Sequence, residues 1–148
     1  VVYHSRTKKD VPYRYFDSLT EMARACDALI CITPGGPSTH KIVNAEVLEA
    51  LGPNGTLINV SRGSVVDEAA LIEALENGKL GWAGLDVFEA EPVVPQALRD
   101  LPNTVLLPHV GSATVETRAA MGALTVDNLL QHLKDGTVVT PVPECADL

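Results

Sequence analysis

The stretch Ala28-Leu29-Ile30-Cys31-Ile32, closed by Thr33-Pro34-Gly35-Gly36-Pro37, decides the fold. An unbroken apolar run of this length reads as a β-strand, and the Pro/Gly stretch behind it cannot continue regular structure. Downstream, Asn44 caps a helix that runs to Leu51 and is stopped by Gly52 and Pro53. Residues 56–60 form the next strand, so the unit is strand, helix, strand, the building block of a parallel sheet. Further out, Asp67 caps a helix carrying Leu71, Ile72 and Leu75 and ending at Gly78. Residues 82–87 and 104–107 are strands separated by a Pro-rich loop. A long helix follows, with the stripe Ala119, Gly122, Ala123, Val126, Leu129, Leu130 and Leu133, and stops at Gly136. Upstream, Ser18 and Glu21 form a capping box before Leu19, Met22, Ala23 and Cys26, and residues 1–4 read as a strand. The expectation is an α/β fold, a doubly wound parallel sheet of Rossmann-like type. Working residues in such sheets lie beyond the carboxyl ends of the strands. Here those loops begin near Ser5, Thr33, Ser61, Phe88 and Pro108.

Composition agrees with a globular domain. The 148 residues are 46% hydrophobic and 20% charged, enough apolar material for a core and too much for a disordered tail. No apolar run approaches the ~20 residues of a membrane span, and VVYHSRTKKD has no apolar stretch or cleavage site of a secretory signal. Cys26, Cys31 and Cys145 are too few and wrongly spaced for a disulfide framework or a zinc knuckle. They read as reduced thiols, which points to a cytoplasmic protein. A net charge of −8 repels polyanions, so general nucleic-acid binding is disfavoured. Positive charge is nevertheless gathered at one place: Arg6, Lys8, Lys9 and Arg14 stand beside a single acid, Asp10. A solvated loop would explain that cluster equally well.

Three loops hold polar residues suited to chemistry. Arg62, in Asn59-Val60-Ser61-Arg62-Gly63, presents a planar fork that fits a carboxylate, with a structural ion pair as the alternative. Glu91 sits in Phe88-Glu89-Ala90-Glu91-Pro92 and means little alone. His109 follows an apolar strand and precedes Val110-Gly111-Ser112, which leaves space beside the imidazole. Together the three make an acid/base site for a carboxylate-bearing substrate. No G-x-G-x-x-G, Walker A or G-x-S-x-G pattern occurs, and His4, His40 and His132 lack partners at metal-ligand spacing. No metal is expected.

The segments 60–68 (VSRGSVVDE), 84–92 (GLDVFEAEP) and 107–114 (LPHVGSAT) closely resemble the D-isomer-specific 2-hydroxyacid dehydrogenases, in the right order and over essentially the whole chain. The stretch TPGGPST at 33–39 and the ending PVPE at 141–144 are most similar to the glyoxylate/hydroxypyruvate reductase branch. The resemblance implies an oxidoreductase that passes a hydride from NADPH, or NADH, to a small 2-oxo acid. In it His109 would be the general acid, Glu91 its hydrogen-bonded partner, and Arg62 the carboxylate anchor. Asp86 would hold the nicotinamide carboxamide, and Thr33, Pro34, Thr39, Val60, Ser61 and Gly111 would line the cofactor cleft beside Arg62 and His109. It also implies a homodimer.

Cofactor preference follows from the end of the first strand. NAD-preferring Rossmann sheets place an Asp or Glu there for the ribose 2′-hydroxyl. Here Ser5-Arg6-Thr7 stand at that point, a hydroxyl and a guanidinium suited to a 2′-phosphate, so NADP is expected.

The family's sheet opens with a strand and a glycine-rich pyrophosphate loop that the 148 residues do not contain. With strand order 3-2-1-4-5-6 the absent strand is the central one, so the five strands should split into a pair and a triplet, as in part of a longer protein. The expected organisation is a partial nucleotide-binding domain over 1–133 and a segment over 134–148 returning towards a substrate domain. Other D-2-hydroxyacid dehydrogenases, such as phosphoglycerate dehydrogenase, and a cofactor-sensing corepressor-like binding protein are the rival readings.

Overall fold

In the computed structural model, which describes residues 1–143, the chain forms two compact units, Val1–His109 and Val110–Leu148. The expected boundary after residue 133 falls inside the last helix, which continues to Asp135. Glu144 and Cys145, and with them the end of the 134–148 segment, lie outside the described residues.

The first unit holds strands β1 (Val2–His4), β2 (Arg14–Phe16), β3 (Ala28–Cys31), β4 (Thr56–Asn59), β5 (Trp82–Leu85) and β6 (Thr104–Leu106). Its helices are α1 (Leu19–Arg24), α2 (Ala45–Leu51), α3 (Glu68–Glu76) and the short α4 (Gln96–Asp100). Every strand pairing is parallel: β1 with β2 in one sheet, and β3-β4-β5-β6 in another. This is the expected Rossmann-like α/β architecture. The caps form as read: Ser18, Asn44 and Asp67 accept the N–H groups of Glu21, Val47 and Ala70 at 3.3, 3.1 and 3.3 Å.

The expected pair and triplet is instead a pair and a quartet. β1 pairs with Arg14-Tyr15-Phe16, and residues 28–31 open the larger sheet. The sequence hides β2 because it is three residues long and follows a basic loop. Its crossover, residues 5–13, is shorter than the dozen or more that parallel partners usually need. α4 was hidden in the Pro-rich loop for a similar reason, having only five residues.

Alternation along the large sheet places its core. The rows Leu29-Leu57-Ala83 and Cys31-Asn59-Leu85 point inward, under Met22 and Ala23 of α1, Leu48 of α2 and Leu71 of α3. Burial pushes the Cys31 thiol up to about 12, so it stays protonated. The alternate row, Ile30-Ile58-Gly84-Val105, lies on the opposite face, where Ile30 and Val105 are 59% and 63% exposed.

The second unit is built on α5 (Val115–Asp135). Thr114 caps it by accepting the Thr117 N–H at 3.1 Å, and Gly136 ends it in the left-handed conformation at φ 79°. Asn128 then fixes the returning chain, donating to Thr140 Oγ1 at 3.0 Å and accepting its N–H at 3.1 Å. Among the described residues, no helix is long and apolar enough to cross a membrane.

Candidate active site

Three strand ends of the large sheet deliver the polar residues. β4 ends in Asn59, and the chain turns through Val60, Ser61 and Arg62 into a 3-10 turn at Gly63–Val65. Asn59 shares the parity of Leu57 and is 1% exposed, yet it is polar. Its side chain donates to the Arg62 carbonyl at 3.0 Å and accepts from the Ser61 N–H and Oγ–H at 3.1 and 3.0 Å. One buried amide therefore fixes the backbone on both sides of Arg62's Cα. The Arg62 guanidinium is exposed, with Nη1 donating to the Ser61 carbonyl at 2.6 Å.

Gly63 sets how closely this loop approaches the next one. A Cβ there would lie 2.0 Å from the carbonyl carbon and oxygen of Phe88, so only glycine permits the contact. The loop it touches carries Glu91. Glu91 Oε1 accepts the Phe88 N–H at 3.0 Å, and Oε2 lies 2.8 Å from Nδ1 of His109. The hydrogen bond from His109 holds the Glu91 carboxyl below its ordinary range, with the Phe88 N–H and the nearby Arg62 charge acting in the same direction. Glu91 is therefore a carboxylate at neutral pH. His109 itself takes φ 56°, in the left-handed region that His enters more readily than most side chains.

Two concavities flank these groups. One, of about 330 Å³, is mostly apolar and is lined by Phe88, Glu91, Val94, Leu106 and His109 among others. The other, an open cleft of about 760 Å³, is lined by Thr33, Pro34, Val60, Ser61, Arg62 and neighbouring glycines at the carboxyl ends of β3 and β4. Asp86 follows β5 and is buried, its N–H donating to the Asn59 carbonyl at 3.0 Å. Thr39 does not line the cleft; its hydroxyl lies within bonding distance of the Pro34 and Gly36 carbonyls at 2.7 and 3.2 Å and shapes that loop. Ser5, Arg6 and Thr7 stand at the end of β1 in the smaller sheet. Gly111 belongs to the second unit. Among the described residues, no group of His, Cys, Asp or Glu is arranged to hold a metal ion.

Asn59 is the residue that motif reading passed over. Its signal was a polar side chain at core parity on an otherwise apolar strand. Replacing it with Ala leaves the Ser61 N–H and the Arg62 carbonyl without partners. A buried unpaired group costs about 1–3 kcal/mol, so Asn59→Ala should lower the urea midpoint by that equivalent at an unchanged m-value. An unmoved midpoint would mean that water replaces the amide without loss.

Comparison with known proteins bears on the whole arrangement. Residues 1–111 match the family described as D-isomer specific 2-hydroxyacid dehydrogenase, NAD binding domain. A hydroxyphenylpyruvate reductase of Plectranthus scutellarioides is 52% identical over 143 residues, which are 96% of this chain and 46% of the relative. A glyoxylate/hydroxypyruvate reductase A of Arabidopsis thaliana is 51% identical over 95% of this chain and 45% of its own length. Among solved structures, the NADPH-dependent glyoxylate/hydroxypyruvate reductase of Sinorhizobium meliloti, in complex with NADP and malonate, is 57% identical with a TM-score of 0.94. The match covers 97% of this chain and 45% of that one. The chain thus spans less than half the length of each relative. By sequence motif, by fold and by these matches, it belongs to the D-isomer-specific 2-hydroxyacid dehydrogenase family.

Proposed function

We propose that this chain is the nucleotide-binding part of an NADP-dependent reductase that converts a small 2-oxo acid, glyoxylate or hydroxypyruvate, to the D-2-hydroxy acid. The observation that carries the reading is the His109–Glu91 pair at 2.8 Å with the Arg62 guanidinium exposed close by. In this reading residues 1–133 belong to the nucleotide-binding domain and 134–148 return towards a substrate domain. The same reading takes a homodimer from the family resemblance and a cytoplasmic location from the reduced state expected of the cysteines.

The residues present fit a dinucleotide. The cleft at the ends of β3 and β4 is open and lined by Thr33, Pro34, Val60 and Ser61; by the family resemblance Asp86, which follows β5, would hold the nicotinamide carboxamide. At the end of β1, Arg6 is exposed and, among the described residues, has no hydrogen bond or ion pair. A permanent positive charge without a protein partner suits a 2′-phosphate. When bound, the nicotinamide supplies the hydride, which no side chain can donate.

The chain's own groups do the rest. Glu91, held ionised, binds Nδ1 of His109 and fixes the ring plane, which leaves Nε2 to deliver a proton to the carbonyl oxygen. Arg62 grips the substrate carboxylate with the donors it does not spend on Ser61.

Steady-state reduction of glyoxylate and hydroxypyruvate by the intact protein, with NADPH and with NADH, tests the reading. NADPH should give the higher kcat/KM. Arg6→Ala should weaken NADPH selectively by roughly 10–100-fold, since one charge-assisted hydrogen bond contributes about 1.5–3 kcal/mol. Turnover with NADH alone would overturn the cofactor assignment. Cofactor binding without turnover of any 2-oxo acid would point to the corepressor-like alternative.

A further inference from the structure

The loop of residues 5–13 is held by two tyrosines that no part of the proposed chemistry uses. Tyr3 on β1 and Tyr15 on β2 face each other in register, with ring centroids 5.4 Å apart and planes inclined by 51°. Both hydroxyls are spent on the loop. Tyr3 Oη donates to the Lys9 carbonyl at 2.9 Å and accepts the Lys9 N–H at 2.8 Å, so both backbone groups of one residue are fixed by one side chain. Tyr15 Oη donates to the Ser5 carbonyl at 3.1 Å. Between these two anchor points Ser5 Oγ donates to the Thr7 carbonyl at 2.7 Å, and Lys9 Nζ to Thr7 Oγ1 at 3.3 Å. Arg6, Thr7 and Lys8 remain as an exposed crest.

Arg14 takes no part in this crest. Successive strand residues point to opposite faces, and its guanidinium lies 4.4 Å from the centroid of the Phe16 ring. The four basic residues clustered in sequence are thus sorted by the fold. Three ride on the latched loop and one packs on an aromatic ring.

The loop joins two three-residue strands, and its own bonds are the exposed Ser5–Thr7 and Lys9–Thr7 contacts, so its conformation leans on the two tyrosine latches. Each residue that must be ordered on binding draws on the affinity of the contact it makes. A loop held at Ser5 and Lys9 beforehand avoids that cost for the residues between.

We propose that Tyr3 and Tyr15 are positioning residues for recognition of the 2′-phosphate. By latching the loop at Lys9 and at Ser5 they hold the Arg6–Thr7–Lys8 crest ready for a phosphomonoester dianion, and so set the preference for NADPH over NADH without touching either cofactor. The inference rests on the NADP reading above and adds to it residues on the strands themselves.

The test uses the intact protein and its Tyr3→Phe and Tyr15→Phe variants, which keep the ring pair and remove only the hydroxyls. Calorimetry measures the dissociation constants of adenosine 2′,5′-bisphosphate and of adenosine 5′-diphosphate, which differ in the 2′-phosphate that the crest would bind. Wild type should prefer the 2′-phosphate. Tyr3→Phe, which loses both bonds to Lys9, should weaken the 2′,5′-bisphosphate roughly tenfold and 5′-diphosphate less than about twofold. Tyr15→Phe should act in the same direction and less strongly. Tryptic cleavage after Lys8 and Lys9 should quicken in both variants, a direct reading of the released loop. If wild type shows no 2′-phosphate preference, the NADP reading fails and the latch falls with it. If wild type shows the preference and the variants keep it, or lose affinity for both ligands equally, the latch alone is overturned.

Discussion

His109→Asn should lower kcat for 2-oxo acid reduction by about 10²–10⁴-fold, the contribution of a positioned general acid. Asparagine is the informative replacement because His109 occupies φ 56°, a conformation Asn tolerates and Ala resists. The backbone turn survives while the transferable proton is lost. Dissociation constants for NADPH should stay within about a factor of three, as expected for a group that acts only in the transition state. Near wild-type turnover in His109→Asn would remove the imidazole from the mechanism. The partner should be visible in the pH profile. The Glu91 carboxyl is held below its ordinary range chiefly by the His109 hydrogen bond, so it stays charged through the acid side of neutrality and loses that charge only below the ordinary carboxylate range. Glu91→Gln keeps the shape and removes the carboxylate that orients the ring, so kcat should fall and the acid limb that protonation of Glu91 produces should disappear. An unchanged kcat and acid limb would show that the 2.8 Å contact takes no part in the reaction.

Much of this arrangement was legible from residues whose type and position conflict with ordinary structure. A Thr-Pro-Gly-Gly-Pro stretch after an apolar run must be a loop at a strand's carboxyl end, and it lines the cleft. Ser18, Asn44 and Asp67 marked helix starts because each offers an oxygen to an otherwise unpaired N–H, and the structure forms all three caps. What the sequence could not show depends on partners far along the chain. β2 exists only because Arg14, Tyr15 and Phe16 find Val2, Tyr3 and His4 beside them, and three residues carry no period of their own. Nothing local marks Gly63, whose role is the backbone contact with Phe88 that brings the Arg62 and Glu91 loops together. Thr39, expected on the cleft from family resemblance, braces the loop that lines it through the Pro34 and Gly36 carbonyls. Hydroxyl type alone does not tell which way a hydroxyl points.

Arg62→Ala should lower kcat/KM for glyoxylate by roughly 10²–10⁴-fold. A bidentate carboxylate contact comprises two charge-assisted hydrogen bonds of about 1.5–3 kcal/mol each, and every ~1.4 kcal/mol is tenfold. Arg62→Lys should recover only part of the loss, because an ammonium cannot present two parallel donors in a plane. The geometry makes this a sharp comparison. Asn59 fixes the backbone at Ser61 and Arg62, and the Nη1 bond to the Ser61 carbonyl aims the guanidinium, so little of the fork's orientation depends on the substrate. The side chain is exposed, so either substitution should leave stability within about 0.5 kcal/mol, and lost activity cannot be charged to unfolding. The control is an uncharged aldehyde such as glycolaldehyde, which offers a carbonyl and no carboxylate. If Arg62 serves as the carboxylate anchor, the penalty should be large for glyoxylate and small for the aldehyde. Equal losses on both would make Arg62 a structural cation whose main effect is its charge on the neighbouring Glu91.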